Sequence, residues 1–279
     1  MVQRSRLRRP TLVGVLNITP DSFSDGGNFL SPGPAIRRAA EILEEGADVI
    51  EVGGESTRPG AAPVPVSTEI ARVIPIIESI STRWPTARIA IDTVKSEVAT
   101  AAIAAGATIV NDVSALRLDA AIASVCSVAR CTLVLMHSRG SVSDMAGYSH
   151  ADYAQGDAIR AVVDELRTAA DLAIAAGVER HRIVLDPGLG FAKRPAQSVE
   201  VLAHLRRLTE LGFEVMIGAS RKRFIGELTG VKLPADRGAG TIGANVVALS
   251  LGATWFRVHD VRENRNALDA AAAILEAGA

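Results

Sequence analysis

Eight short runs of β-branched and aliphatic residues recur along the chain, and each ends on a polar residue or a glycine turn. They are Thr11–Asn17, Asp48–Gly53, Arg88–Thr93, Thr108–Val113, Thr132–His137, Arg182–Pro187, Glu214–Ser220 and Ala253–His259. Runs of this length, apolar almost throughout, predict strands buried on both faces. Near their C-terminal ends stand Asn17, Glu55, Asp92, Asn111, His137, Asp186, Lys222 and His259. Between the runs the apolar period changes to that of a helix. Helices are predicted over Pro34–Glu45, Ser67–Arg83, Ser96–Ala105, Asp119–Ala129, Tyr153–Ala176, Ser198–Leu211, Arg237–Leu251 and Asn264–Ala277. Several close on a glycine before the next strand (Gly46, Gly106, Gly177, Gly212 and Gly252), the residue that turns a helix end back on itself.

Alternating strand and helix with a polar strand end in every unit predicts an α/β fold, a single (β/α)8 TIM barrel whose active face is the C-terminal one. An open doubly wound sheet fits less well, because no G-x-G-x-x-G follows the first strand. The segments Ile18–Gly33, Gly54–Val66 and Ser138–Asp152 are long and rich in Gly, Pro, Ser and Asp. Long loops at one end and short ones at the other place the site at the same face. Nothing resembling a linker divides the chain, so one domain is expected over residues 11–279, preceded by an extension, 1–10. Four arginines lie within Met1–Arg9, but no apolar segment of secretory or membrane-spanning length follows.

Composition narrows the function. The 279 residues carry a formal net charge of −1 and only 4% aromatics. There is no broad basic field for nucleic acid and no stacking surface for single strands. Cys126 and Cys131 have no neighbouring metal-ligand cluster; two reduced, buried thiols in a cytoplasmic protein are expected.

Asp92 and Asp186 each end a strongly apolar run. A carboxylate in that position is costly unless it meets a partner or a ligand, and two on one face suit the N–H edge of a heterocycle. Strand-end capping is the alternative. Ser220-Arg221-Lys222 offers a pair of cations for an anion or a leaving group, against a solvated basic turn. Arg257 and His259 alternate along one strand and so share a face. Asn17 and Asn111 present amides that suit either a hard cation or a ring. His137 is read as structural rather than catalytic.

Eight segments together resemble the dihydropteroate synthase family. They are Asn17-Ile-Thr-Pro-Asp-Ser-Phe-Ser-Asp-Gly-Gly27, Gly53-Gly-Glu-Ser-Thr-Arg-Pro-Gly60, Ile91-Asp-Thr93, Asn111-Asp-Val113, Met136-His137, Asp186-Pro-Gly-Leu-Gly-Phe191, Ser220-Arg-Lys222 and Arg257-Val-His-Asp260. The resemblance spans almost the whole chain. Departures flank the motifs: Ser138-Arg139-Gly140, and Ala192-Lys193-Arg194-Pro195 where many relatives have a Gly-Lys-Thr-like run.

The resemblance implies the condensation of 6-hydroxymethyl-7,8-dihydropterin diphosphate with 4-aminobenzoate, giving 7,8-dihydropteroate and diphosphate with the help of Mg²⁺. It implies that Asp92, Asn111 and Asp186 hold the pterin ring with Lys222, and that Met136 also touches substrate. Asn17 would serve the Mg²⁺–diphosphate site, and Arg257 and His259 the diphosphate. Thr57, Arg58, Pro59, Phe191, Ser220 and Lys222 would form the aminobenzoate pocket. Asp92, Asp186 and Lys222 are the expected catalytic residues. Diphosphate would leave first, the arylamine would attack a pterin cation, and the first two loops would close over the site. A homodimer is implied, with the Ala-rich stretch Ala267–Ala277 offering an apolar face. A pterin-binding methyltransferase domain and a non-catalytic pterin-binding paralogue are the alternatives; the Ser-Thr-Arg-Pro and Ser-Arg-Lys segments speak against the first, and the presence of Asp92, Asp186 and Lys222 against the second.

Overall fold

A computed structural model describes residues 9–18, 33–57, 60–153 and 157–278. Eight parallel strands hydrogen-bond in chain order and close into a barrel. They are β1 (Thr11–Asn17), β2 (Val49–Gly53), β3 (Arg88–Asp92), β4 (Ile109–Asp112), β5 (Thr132–Met136), β6 (Ile183–Asp186), β7 (Glu214–Ile217) and β8 (Trp255–Val258). Closure is made by β1 against β8, with Thr11 opposite Trp255 and Val13 opposite Arg257. The surrounding helices are α1 (Gly33–Glu44), α2 (Val66–Arg83), α3 (Ser96–Ala104), α4 (Ala121–Ala129), α5 (Ala158–Ala175), α6 (Pro195–Ala203), α7 (Arg206–Thr209), α8 (Arg223–Thr229), α9 (Gly238–Ser250) and α10 (Val261–Ala277). The predicted TIM barrel is the observed fold.

Several strands stop one to three residues short of the expected ends, because the last polar residues of each run bend into loops. The helix expected from Tyr153 starts at Ala158, where Asp157 caps it by accepting a hydrogen bond from Arg160 N at 3.0 Å. The expected helix Ser198–Leu211 is broken at His204–Leu205 into α6 and α7, an arrangement that keeps both Leu205 and Leu208 buried. Helix α8 was not foreseen. It is seven residues long and buries only Phe224 and Ile225, too few to show a helical stripe in sequence. All five helix-ending glycines take positive φ, from +76° at Gly212 to +119° at Gly106.

Side chains inside the barrel are stacked in layers, and this stacking positions the site. Val13, Val49, Ala90, Ile109, Val134, Val184, Met216 and Trp255, one from each strand, form a closed apolar cluster of their own. Alternate strand residues face the same way, so two residues further along each strand comes the next inward layer: Val15, Glu51, Asp92, Asn111, Met136, Asp186, Gly218 and Arg257. The dry layer is thus a floor and the one above it is charged. The opposite faces of the strands pack on the helices in the main hydrophobic core.

Candidate active site

Four residues of the charged layer, Arg257, Glu51, Asp92 and Asn111, form one connected network. Arg257 Nε donates to Glu51 Oε1 at 2.6 Å, and its Nη2 reaches Asp92 Oδ2 at 3.2 Å. Glu51 Oε2 accepts from Asn111 Nδ2 at 2.9 Å. Glu51 and Asn111 are each 1% exposed. Because Glu51 takes the amide nitrogen, Asn111 Oδ1 is turned the other way; this buried oxygen has no protein hydrogen-bond partner. Asp186 Oδ1 accepts from Gly188 N at 2.7 Å, leaving its other oxygen toward Gly218, where a Cβ would already stand 3.8 Å from Asp186 Oδ2 and 3.9 Å from Arg257 Cδ. The missing side chain at 218 keeps space open between the acid and the guanidinium.

Burial first, and then the Glu51 charge, push the Asp92 carboxyl above its ordinary range, against the pull of Arg257. Burial also raises Asp186. Lys222 is lowered to about 7 by burial, opposed by Asp186 and reinforced by Arg257. Burial thus disfavours charge on both aspartates and on the lysine alike.

The loops above the layer complete the mouth. Asn17 and Asp92 both lean over Gly53: a Cβ there would meet Asn17 Oδ1 and Asp92 Cβ, each at 3.6 Å. The turn after β6 is shaped by Gly188 at φ +63°, where a Cβ would lie 2.0 Å from His137 O. Lys222 Nζ donates to Leu189 O and stands 4.2 Å from the centre of the Phe191 ring. Phe191 packs on an apolar group of Val94, Val113, Met136 and Met145. Ser220 Oγ lies 2.9 Å from His259 Nδ1 and accepts from His259 N at 3.2 Å. Burial, then the Arg257 and Arg221 charges, pull His259 down to about 4. The Ser220 hydroxyl and His259 Nδ1 share one hydrogen bond, and the imidazole tautomer sets which of them donates.

Of the cation pair expected after β7, only Lys222 faces the mouth. Arg221, at φ +59°, turns to Asp260, which receives its Nε at 3.1 Å. Glu55 anchors the second loop. Its carboxylate accepts from Val64 N at 2.7 Å and from Lys95 Nζ at 3.0 Å. Gly60 N reaches Ser143 O at 3.0 Å, joining the second loop to the fifth. Thr57 is partly buried on that loop. Arg58 and Pro59, and the motif residues 19–27, lie outside the described residues.

A family model described as pterin binding enzyme matches residues 13–259. The dihydropteroate synthase of Mycobacterium leprae is 40% identical, over 96% of this chain and 94% of the relative. The chain belongs to the dihydropteroate synthase family. The structure of the Xanthomonas albilineans dihydropteroate synthase with 4-aminobenzoic acid superposes with a TM-score of 0.88 at 43% identity, covering 96% of this chain and 94% of that one. That of the Yersinia pestis dihydropteroate synthase with a sulfonamide drug gives 0.87 at 35% identity, covering 96% and 95%. The chain is accordingly an enzyme of folate biosynthesis that makes 7,8-dihydropteroate, a transferase of an alkyl group other than methyl.

Two residues escaped the sequence reading. Glu51 sits inside an apolar run, Val49-Ile50-Glu51-Val52, away from the polar strand end and Glu55. An acid within a strand otherwise buried on both faces was the available signal. Lys193 lies in the segment that departs from the family's run beside the motif, and it is fully buried. His137 faces away from the charged layer and contacts Lys193 and Glu165. Cys126 and Cys131 are both free and buried.

Proposed function

We propose that the charged layer is the dihydropterin site, and that Asp92, Asp186 and Lys222 are the catalytic residues. The observation that carries this is the orientation of Asn111, whose orphaned acceptor oxygen lies in the same layer as two strand-end carboxylates. A 2-amino-4-oxopterin edge presents N–H donors, and buried acceptors without partners are what such an edge needs. Lys222 supplies a donor at the loop side of the ring. Its ammonium also caps the Phe191 face, where 4-aminobenzoate would lie near Ser220, Thr57 and Met136; the family resemblance adds Arg58 and Pro59, which lie outside the described residues.

Arg257 and the His259 ring would meet the diphosphate. Asn17 would offer one amide oxygen to Mg²⁺. Among the described residues no group of three or more His, Cys, Asp and Glu is placed to hold a metal. The donor set therefore fits an ion that takes most of its oxygens from substrate phosphate and water, as Mg²⁺ commonly does. Bound there, it would neutralise charge on the leaving diphosphate. The C–O bond breaks with its electron pair on the diphosphate. The carboxyl oxygens of Asp92 and Asp186 stabilise the pterin cation, and the arylamine lone pair forms the new C–N bond before losing a proton.

We take residues 11–279 as the catalytic domain, with 1–10 outside it. We further propose a cytoplasmic homodimer. The free thiols agree with a reducing compartment, and no helix among the described residues is long and apolar enough to cross a membrane. Val247 on α9 and Ile274 on α10, helices packed side by side, are 49% and 72% exposed and support an interface there.

The test is product formation from both substrates with and without Mg²⁺, for the wild type and for Asp92→Ala and Lys222→Ala. Each variant should stay folded and lose most turnover. A folded variant with near-normal rates removes that residue from the mechanism.

A further inference from the structure

We propose that Lys193 and His137 form a buried positioning pair that holds the Gly188–Phe191 turn from behind and so sets the Phe191 wall of the aminobenzoate pocket. The pair acts through the backbone and touches no substrate. It rests on the placement of Phe191 in that pocket given above.

The geometry begins with a lysine that has no accessible surface. Its Nζ lies 2.8 Å from His137 Nδ1 and 3.1 Å from each of two carbonyls, Gly188 O and Phe191 O. His137 is tied in turn to β6 by its own N–H, which donates to Asp186 O at 2.9 Å. On its far side His137 Nε2 is 3.1 Å from Glu165 Oε2, and Glu165 also pairs with Arg139. The neighbouring carbonyl, Ala192 O, accepts from Tyr153 Oη at 2.7 Å, and Ala192 N donates to Met145 O at 2.7 Å. The same turn is met from the substrate side by Lys222, through Leu189 O and the Phe191 ring. Two lysines thus grip one turn from opposite sides. One faces the chemistry, and the other is sealed away from it.

A buried ammonium is expensive, and packing alone would be served by a methionine. What a methionine would not supply is hydrogen bonds to the two turn carbonyls. The proton count also closes with a single positive charge. In one arrangement Lys193 donates three hydrogens and neutral His137 gives its Nε2–H to Glu165. In the other, the imidazolium donates to both Glu165 and Lys193, and the neutral amine donates to the two carbonyls. Either way every polar atom is satisfied, and Glu165 balances the charge across the ring. Burial lowers Lys193, and burial together with Lys193 lowers His137 to about 4, in keeping with one shared proton rather than two. Glu165, although burial opposes it, is held down at about 2 by His137 and Arg139 and stays ionised.

The test varies each substrate separately for Lys193→Met, Glu165→Gln and Phe191→Ala, with thermal unfolding of each protein as a check on folding. Lys193→Met keeps the volume and removes the donors; it should raise KM for 4-aminobenzoate about tenfold and leave KM for the pterin diphosphate within about twofold, the size of one lost hydrogen bond. Glu165→Gln changes a half-exposed side chain and keeps an acceptor for His137, so it disturbs folding less than a change at Lys193. It weakens the charge balance and should move KM for 4-aminobenzoate the same way by about threefold. Phe191→Ala separates the two levels of the argument. If it leaves KM for 4-aminobenzoate unchanged, the pocket assignment fails and the proposal with it. If it raises that KM while folded Lys193→Met does not, or while Lys193→Met raises both KM values alike, the positioning role is overturned and Lys193 is only a structural residue. Should Lys193→Met not fold, an unchanged KM for 4-aminobenzoate in Glu165→Gln overturns the proposal.

Discussion

Arg257 and Asp92 lie 165 residues apart in the chain and 3.2 Å apart in the barrel. They stand on β8 and β3, strands that are not neighbours, and meet because both point inward from the same layer. Glu51 receives the same guanidinium. This three-membered group is the electrostatic centre of the site, and most of what can be tested follows from it.

Arg257→Met should be strongly destabilising. It leaves Glu51 and Asp92 buried without their cation, a loss of about 3–5 kcal/mol for a broken buried pair. Adding Glu51→Gln should restore part of that stability while activity stays low. Urea denaturation of the two single variants and the double variant measures the coupling. Strict additivity would mean that the pair is not energetically linked.

Glu51→Gln should act on one substrate only. With the carboxylate gone, the orientation of the Asn111 amide is no longer dictated, and its acceptor is no longer held in place for the ring. KM for the pterin diphosphate should rise about tenfold, the equivalent of one hydrogen bond, with KM for 4-aminobenzoate unchanged. Steady-state kinetics with each substrate varied would show it, and a change confined to 4-aminobenzoate would remove Glu51 from the pterin site.

Lys222 links activity to pH. Its folded value, about 7, is below the ordinary value of 10.5. The unfolded chain therefore holds this proton more tightly, and the group's contribution to stability, full above about 10.5, is lost as pH falls through 7. Lys222→Met should consequently raise Tm relative to the wild type at pH 6, and the gain should vanish by about pH 10, while turnover falls about 10²–10³-fold. Binding of the diphosphate substrate at pH 8 should draw a proton from the buffer, since a nearby anion favours the ammonium. Titration calorimetry in buffers of different ionisation enthalpy reads that uptake directly.

Gly188→Ala should be damaging out of proportion to its size. A Cβ there would lie 2.0 Å from a backbone oxygen, and φ is +63°. His137 is tied to β6 through its N–H, which donates to Asp186 O, so relieving the clash must shift the strand end or the turn. A loss of about 2–3 kcal/mol is expected, with activity falling as Asp186 and Phe191 shift. Denaturant unfolding of this variant, beside an alanine at the open position Gly243 as a control, would measure it.

Much of this architecture was legible in the chain. The eight apolar runs and five of the helix-ending glycines named the units, and the strand-end residues Asp92, Asn111 and Asp186 named the face. Boundaries were less legible at the polar strand ends, where a residue such as His259 continues the pattern of the strand but already belongs to a loop. Helix α8 was hidden by its small buried face. Arg221 looked like half of a cation pair, since nothing in sequence shows that Asp260, 39 residues on, would take it.

Local pattern alone determined the fold class, the direction of the strands and the end where the polar strand residues gather, because hydrophobic period and turn residues act over a few residues at a time. Only the tertiary structure decided which charges meet. Closing β1 onto β8 stacks every second residue of eight distant strands into a layer, and a layer has no counterpart in chain order. That is how Glu51 became the hub of the site, how Arg257 found Asp92, and how Lys193 came to lie behind the turn whose front faces Lys222.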